Sequence, residues 1–165
     1  MKYLKRNLTG NKQYDLHKIR LEIAELADTH GWYLDSQISL QSPDGDFMTG
    51  NGKIEWNPGY TELDFVVCNT PDDWEITRFI TDNSLYRTRI MKLNPKFCYS
   101  YHRDRSPRVH LAIDTHENCF FVKDKTMFHI PADGNPYWID TRVFHTALNA
   151  TLDFERIHIV GCVKD

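Results

Sequence analysis

Apolar residues recur at steps of three and four over a helical length only once in this chain. Within 15–31, Leu16, Ile19, Ile23, Leu26 and Ala27 form one stripe, with Lys18, Arg20, Glu22 and Glu25 outside it. Asp15 fits an N-cap and Gly31 the position just past the C-terminus, so the spacing predicts a helix there. The stretch 41–59 is rich in Gly, Asp, Asn, Ser and Pro and reads as loops. From Thr61 onward the pattern changes to short β-type segments. Strands are predicted at 62–68, 85–92, 97–102, 108–113, 119–122, 126–130, 137–140, 143–148 and 156–163. Asn94-Pro95, Ser106-Pro107 and the run 131–136 punctuate them. Many short strands at this spacing predict a mainly β fold, a sandwich or jelly roll with the helix packed outside. No repeat or low-complexity tract interrupts it. One domain over 1–165 is the simplest account, with a helical and loop-rich part at 1–84 and a β core at 85–163.

Composition narrows the function classes. Of 165 residues 41% are hydrophobic, 13% aromatic and 26% charged, which suits a packed globular domain and excludes a disordered one. The 20 Lys+Arg against 23 Asp+Glu leave a formal charge of −3, without the basic surplus a nucleic-acid partner needs. No apolar run approaches the roughly 18 residues of a membrane span, so no membrane partner is expected. Met1–Asn7 carries charge with no apolar run after it; no secretory signal is read there, and a cytoplasmic location is expected. Cys68, Cys98, Cys119 and Cys162 form no C-x-x-C pair, which excludes zinc-knuckle spacing and points to free thiols in a reducing compartment.

The chemistry-bearing residues lie in the second half. In a strand over 108–113, Arg108, His110 and Ala112 share one face while Val109, Leu111 and Ile113 share the other. His145 sits on the segment 143–149, and Arg156 and His158 share a face of the last strand. Two neutral imidazoles on neighbouring strands suit Fe(II). An arginine after them, with its planar fork, suits a carboxylate. Ser100, His102 and Asp104 alternate along 97–104 and could contact cosubstrate or substrate.

The run Arg108-Val109-His110, then Cys119-Phe120-Phe121, His145-Thr146-Ala147-Leu148-Asn149 and Arg156-Ile157-His158 resembles the aspartyl/asparaginyl β-hydroxylase family. That family, with its bacterial proline hydroxylase relatives, belongs to the Fe(II)/2-oxoglutarate-dependent oxygenases. The stretch 91–95 through 100–104 resembles the family's lead-in to the barrel. The resemblance covers about 85–163. It implies a double-stranded β-helix (jelly-roll, cupin-like) core with an N-terminal helix. By position it implies iron ligands at His110 and His145 and a 2-oxoglutarate carboxylate on Arg156; Ser100, Arg108 and His158 are further candidate cofactor-binding residues. The His-x-Asp ligand motif common in these oxygenases reads His110-Leu111-Ala112 here, without the carboxylate, and Asp114 lies two residues beyond Ala112.

The implied activity is hydroxylation of an amino acid or an Asp/Asn-type side chain, with Fe(II) as cofactor, 2-oxoglutarate as cosubstrate, and O₂ and a small-molecule or peptide substrate as partners. A non-catalytic β-barrel binding or sensing module stays open as an alternative. So does a related iron halogenase, which places halide where the carboxylate is missing.

Overall fold

The computed structural model describes Lys5–Arg6 and residues 13–164. The reading of Met1–Asn7 as free of a signal falls, apart from Lys5–Arg6, outside the described residues. The periodic segment folds as α1 (Leu16–His30) with both expected caps. Asp15 accepts from the His17 and Lys18 amides at 3.0 and 3.1 Å. Gly31 has φ 71°, in the left-handed region that favours glycine. Asp15→Ala should lower stability by about 1 kcal/mol, the usual worth of a side-chain N-cap. A denaturation midpoint that does not move would mean packing alone holds the helix.

Ile19, Ile23 and Leu26 are buried as the stripe predicts, but Glu22, expected outside, is buried too. The reason is a second helix, α2 (Glu75–Asp82), which the sequence pattern does not announce. Trp74, at its N-cap, offers no side-chain cap. Glu22 of α1 does so instead, accepting from the Glu75 and Ile76 amides at 2.8 and 2.9 Å. Ile76, Phe79 and Ile80 then pack with the α1 stripe in one apolar cluster.

Among the described residues three antiparallel sheets make the fold mainly β. The largest runs in the order β1 (Lys5–Arg6), β10 (Tyr137–Ile139), β7 (Arg108–Asp114), β12 (Arg156–Cys162), β5 (Tyr86–Leu93) and β2 (Gln37–Ser39). The second runs β6 (Phe97–Cys98), β11 (His145–Asn149), β8 (Cys119–Lys123) and β9 (Thr126–Phe128). β3 (Gln41–Ser42) and β4 (Val67–Cys68) form a two-stranded ribbon. The strand expected at 62–68 shrinks to β4, because Thr61 and Asp64 cap each other reciprocally and turn Glu62–Asp64 into a 3-10 helix. The strand expected at 97–102 pairs continuously only over Phe97–Cys98, then touches the sheet again at one bridge through His102.

Alternation along the central strands sorts the layers. Val109, Leu111, Ile113, Ile90 and Ile159 pack under the two helices. On the opposite face, Leu93, Ala112 and Ile139 meet Phe121 and Ala147 of the second sheet. The order is therefore helices, large sheet, small sheet, with the polar residues of the inner face held between the sheets. All four cysteines are free. Among the described residues no helix is long and apolar enough to cross a membrane.

Candidate metal centre

His102 and His145 oppose each other across an antiparallel bridge, each amide donating to the other's carbonyl at 3.0 and 2.9 Å. That register brings the rings together, with centroids 4.5 Å apart. Asp104 follows two residues after His102, its amide held by the Thr141 carbonyl at 2.9 Å. Its carboxylate lies 3.7 Å from His102 Nε2 and 3.6 Å from His145 Nε2. One ligand atom from each residue falls within 4.8 Å of the other two, and the group could hold a metal ion.

Hydrogen bonding prepares both imidazoles. His102 Nδ1 lies 2.7 Å from the Ser100 carbonyl and His145 Nδ1 2.9 Å from the Val143 carbonyl. A carbonyl only accepts, so each Nδ1 carries a proton, which leaves Nε2 as the ring nitrogen available to a metal beside Asp104. Burial pushes His145 below the ordinary imidazole value, which keeps it neutral at neutral pH. Phe121 stacks on the His145 ring at 5.3 Å and 5°.

Behind Asp104 stands a buried ion network. Arg108 Nε lies 3.4 Å from Asp104 Oδ2, and its Nη2 donates to Glu62 Oε1 at 2.9 Å. Glu62 also accepts from Arg87 Nη1 at 3.0 Å and from the Ser106 hydroxyl at 2.8 Å. Burial alone would raise the Glu62 carboxyl; Arg108, Ser106 and Arg87 outweigh it and hold it below the usual value.

The three candidate ligands line a cavity of about 160 Å³ between the two sheets. Arg156 lines it too, 3% exposed, with its Nε unpartnered and, among the described residues, no carboxylate in ion-pair contact. The buried Tyr99 hydroxyl faces the same cavity and is also unpartnered. A wider cavity of about 420 Å³ adjoins the first, sharing Arg89, Tyr99, His102, Asp104 and Arg108 with it.

The residues singled out in the sequence divide between these places. His145 belongs to the metal-compatible group, and Arg156 to its cavity. His110 lines the cavity but lies outside the group, its Nδ1 without a partner. Burial, then Arg156, His145 and Arg108, push it well below the ordinary imidazole value. The His-x-Asp spacing sought at His110 occurs upstream, at His102-Arg103-Asp104. Ala112 is fully buried in the core with Leu93 and Phe121, beside no metal group. Asp114 turns away to Arg20 of α1, which donates to it at 2.9 Å. Arg108 is engaged by Glu62. Ser100 is exposed and lines the wider cavity, its carbonyl holding His102. His158 is buried and lines neither cavity.

No family model matches the sequence, and no curated protein matches it. Among solved structures the chain is similar to one described as the crystal structure of Rhodobacter sphaeroides SigE in complex with the anti-sigma ChrR. The match has 16% identity and a TM-score of 0.33, and covers 46% of this chain and 37% of that one.

Proposed function

We propose that the chain is an Fe(II)- and 2-oxoglutarate-dependent hydroxylase on a double-stranded β-helix core. One observation carries the reading: a two-histidine, one-carboxylate group shares a cavity with a buried guanidinium that has no acid among the described residues. The first half is the donor set of non-haem Fe(II) oxygenases. The second half leaves a charge that an anionic ligand would neutralise. His102, Asp104 and His145 would hold the iron, and Arg156, with the Tyr99 hydroxyl beside it, the far carboxylate of 2-oxoglutarate. When bound, iron and 2-oxoglutarate supply the oxidation: O₂ and 2-oxoglutarate convert a C–H to C–OH, with succinate and CO₂ leaving. The chain's own work is placement. Backbone carbonyls fix the two imidazole tautomers, Arg156 orients the cosubstrate, and Phe121 and Ala147 keep the inner wall apolar. A carboxylate in the group supports hydroxylation over halogenation, because the halogenase alternative rested on its absence.

Anaerobic titration with Fe(II) and then 2-oxoglutarate tests the reading through the visible absorption of the chelate. Arg156→Met should weaken 2-oxoglutarate binding at least about 30-fold, the loss of a charge-assisted contact in a desolvated pocket, while Fe(II) affinity stays near that of the wild type. Absence of the band in the wild type would sink the proposal.

A further inference from the structure

Arg156 is not alone in lacking an acid. Arg89 of β5 pairs with Ser39 of β2 on one side and Val160 of β12 on the other, and His110 lies beyond Val160 in the same row. Among the described residues its Nη1 donates only to neutral acceptors, the Gln37 side-chain oxygen and the Gly52 carbonyl, both at 3.2 Å. Its Nε is buried without a partner. The neighbouring Arg87 and Arg108 share Glu62, and neither Glu62 oxygen reaches Arg89. Burial, with Arg87 and Arg108 close by, pulls the Arg89 guanidinium down to about 10. Such a site favours an anion.

Position says which anion. Arg89 lines both cavities, so it stands in the wall they share. In the wider cavity Lys53, Arg103 and Arg105 join Arg87, Arg89 and Arg108 against only Glu55, Glu62 and Asp104. A chain of formal charge −3 thus concentrates positive charge at the mouth of its candidate site. Of the three arginines lining the inner cavity, Arg89 and Arg156 have no acid among the described residues; a dicarboxylate cosubstrate on Arg156 and the metal answers one of them and leaves the other.

We propose that Arg89 seats a carboxylate of the substrate itself, reached through the wider cavity, so that the substrate is an acid oxidised within a few bonds of that carboxylate. This deepens the hydroxylase reading and rests on it. The carboxylate belongs either to a free amino acid or to an acidic residue within a peptide; the recognition chemistry is the same.

The test separates the proposal from its premise. The wild-type protein is first loaded anaerobically with Fe(II) and 2-oxoglutarate; failure of the chelate band would overturn the hydroxylase reading. With the band formed, calorimetry and band shifts are followed during titration with L-aspartate, L-glutamate and L-proline, their amides, and capped tripeptides centred on Asp or Asn. The expected result is that at least one acid binds about 30-fold or more tighter than its amide. Free amino acids and peptides then tell the two sources apart. Arg89→Gln should erase that preference, and Arg89→Lys, which keeps the charge, should retain part of it. Equal binding of acids and amides by the wild type, or binding of none of these probes, overturns the proposal without any variant. Loss of 2-oxoglutarate rather than acid binding in Arg89→Gln would assign Arg89 to the cosubstrate and overturn it as well.

Discussion

Glu62→Ala is expected to cost about 3–5 kcal/mol of stability, because it strands two buried guanidiniums at once. Arg87, Arg108 and Glu62 are each under 9% exposed, and one carboxylate oxygen accepts from both arginines. For a chain of this length that loss corresponds to a fall of about 6–20 °C in melting temperature. The pH dependence has a definite sign. The fold holds the Glu62 carboxyl below its ordinary value, so the ionised form is the stabilising one. Its contribution is complete above the unfolded value, about 4.3–4.5, and is lost as pH falls through the lower folded value. Calorimetric melting from pH 7 to pH 3 should show the wild type losing its advantage over Glu62→Ala at the acid end. A constant gap across that range would mean packing, not charge, is what Glu62 supplies. The same variant frees Arg108 to turn fully onto Asp104, so metal affinity should fall with stability.

How much of this was legible in the sequence depends on whether the signal was local. The face alternation of 108–113 was: Val109, Leu111 and Ile113 pack under the helices while Arg108, His110 and Ala112 face the second sheet, although Ala112 joins the core there and not the cavity. The caps of α1 were also local. α2 was not, since Glu22 caps it from another helix, and its Ile and Thr residues look like strand. His102 and Asp104 were visible as alternating polar residues after Ser100. Their convergence with His145 depends on a cross-strand bridge that no spacing reveals. The His-x-Asp spacing absent from the clearly amphipathic strand at His110 stands at His102-Arg103-Asp104, on a segment with little strand pattern of its own. Simple alternation would put Asp114, two residues beyond Ala112, on the inner face. β12 shifts register between Ile157 and His158, opposite that end of β7, and Asp114 meets Arg20 instead. The sequence gives no sign that Arg89 lacks an acid, because a missing partner is a property of three dimensions only.

Asp104→Ala should raise the dissociation constant for Fe(II) at least about 100-fold, whereas His110→Ala should change it less than about 10-fold. Losing even an outer partner of a metal ligand typically costs 10–100-fold, and Asp104 is the only anionic donor in the group. Its removal also leaves the metal facing a cavity wall lined by Arg89, Arg108 and Arg156 with no carboxylate between. His110 lies outside the group, so its loss touches only the cavity lining. Anaerobic calorimetry with Fe(II), or with Mn(II) followed by electron paramagnetic resonance, reads both constants. Melting curves confirm that each variant folds. Asp104→Asn separates charge from shape: it keeps the size of the side chain, and should fall close to the alanine variant if the carboxylate charge is what binds. If His110→Ala removes metal binding and Asp104→Ala leaves it, the metal sits between His110 and His145, and the His102–Asp104–His145 group holds no metal.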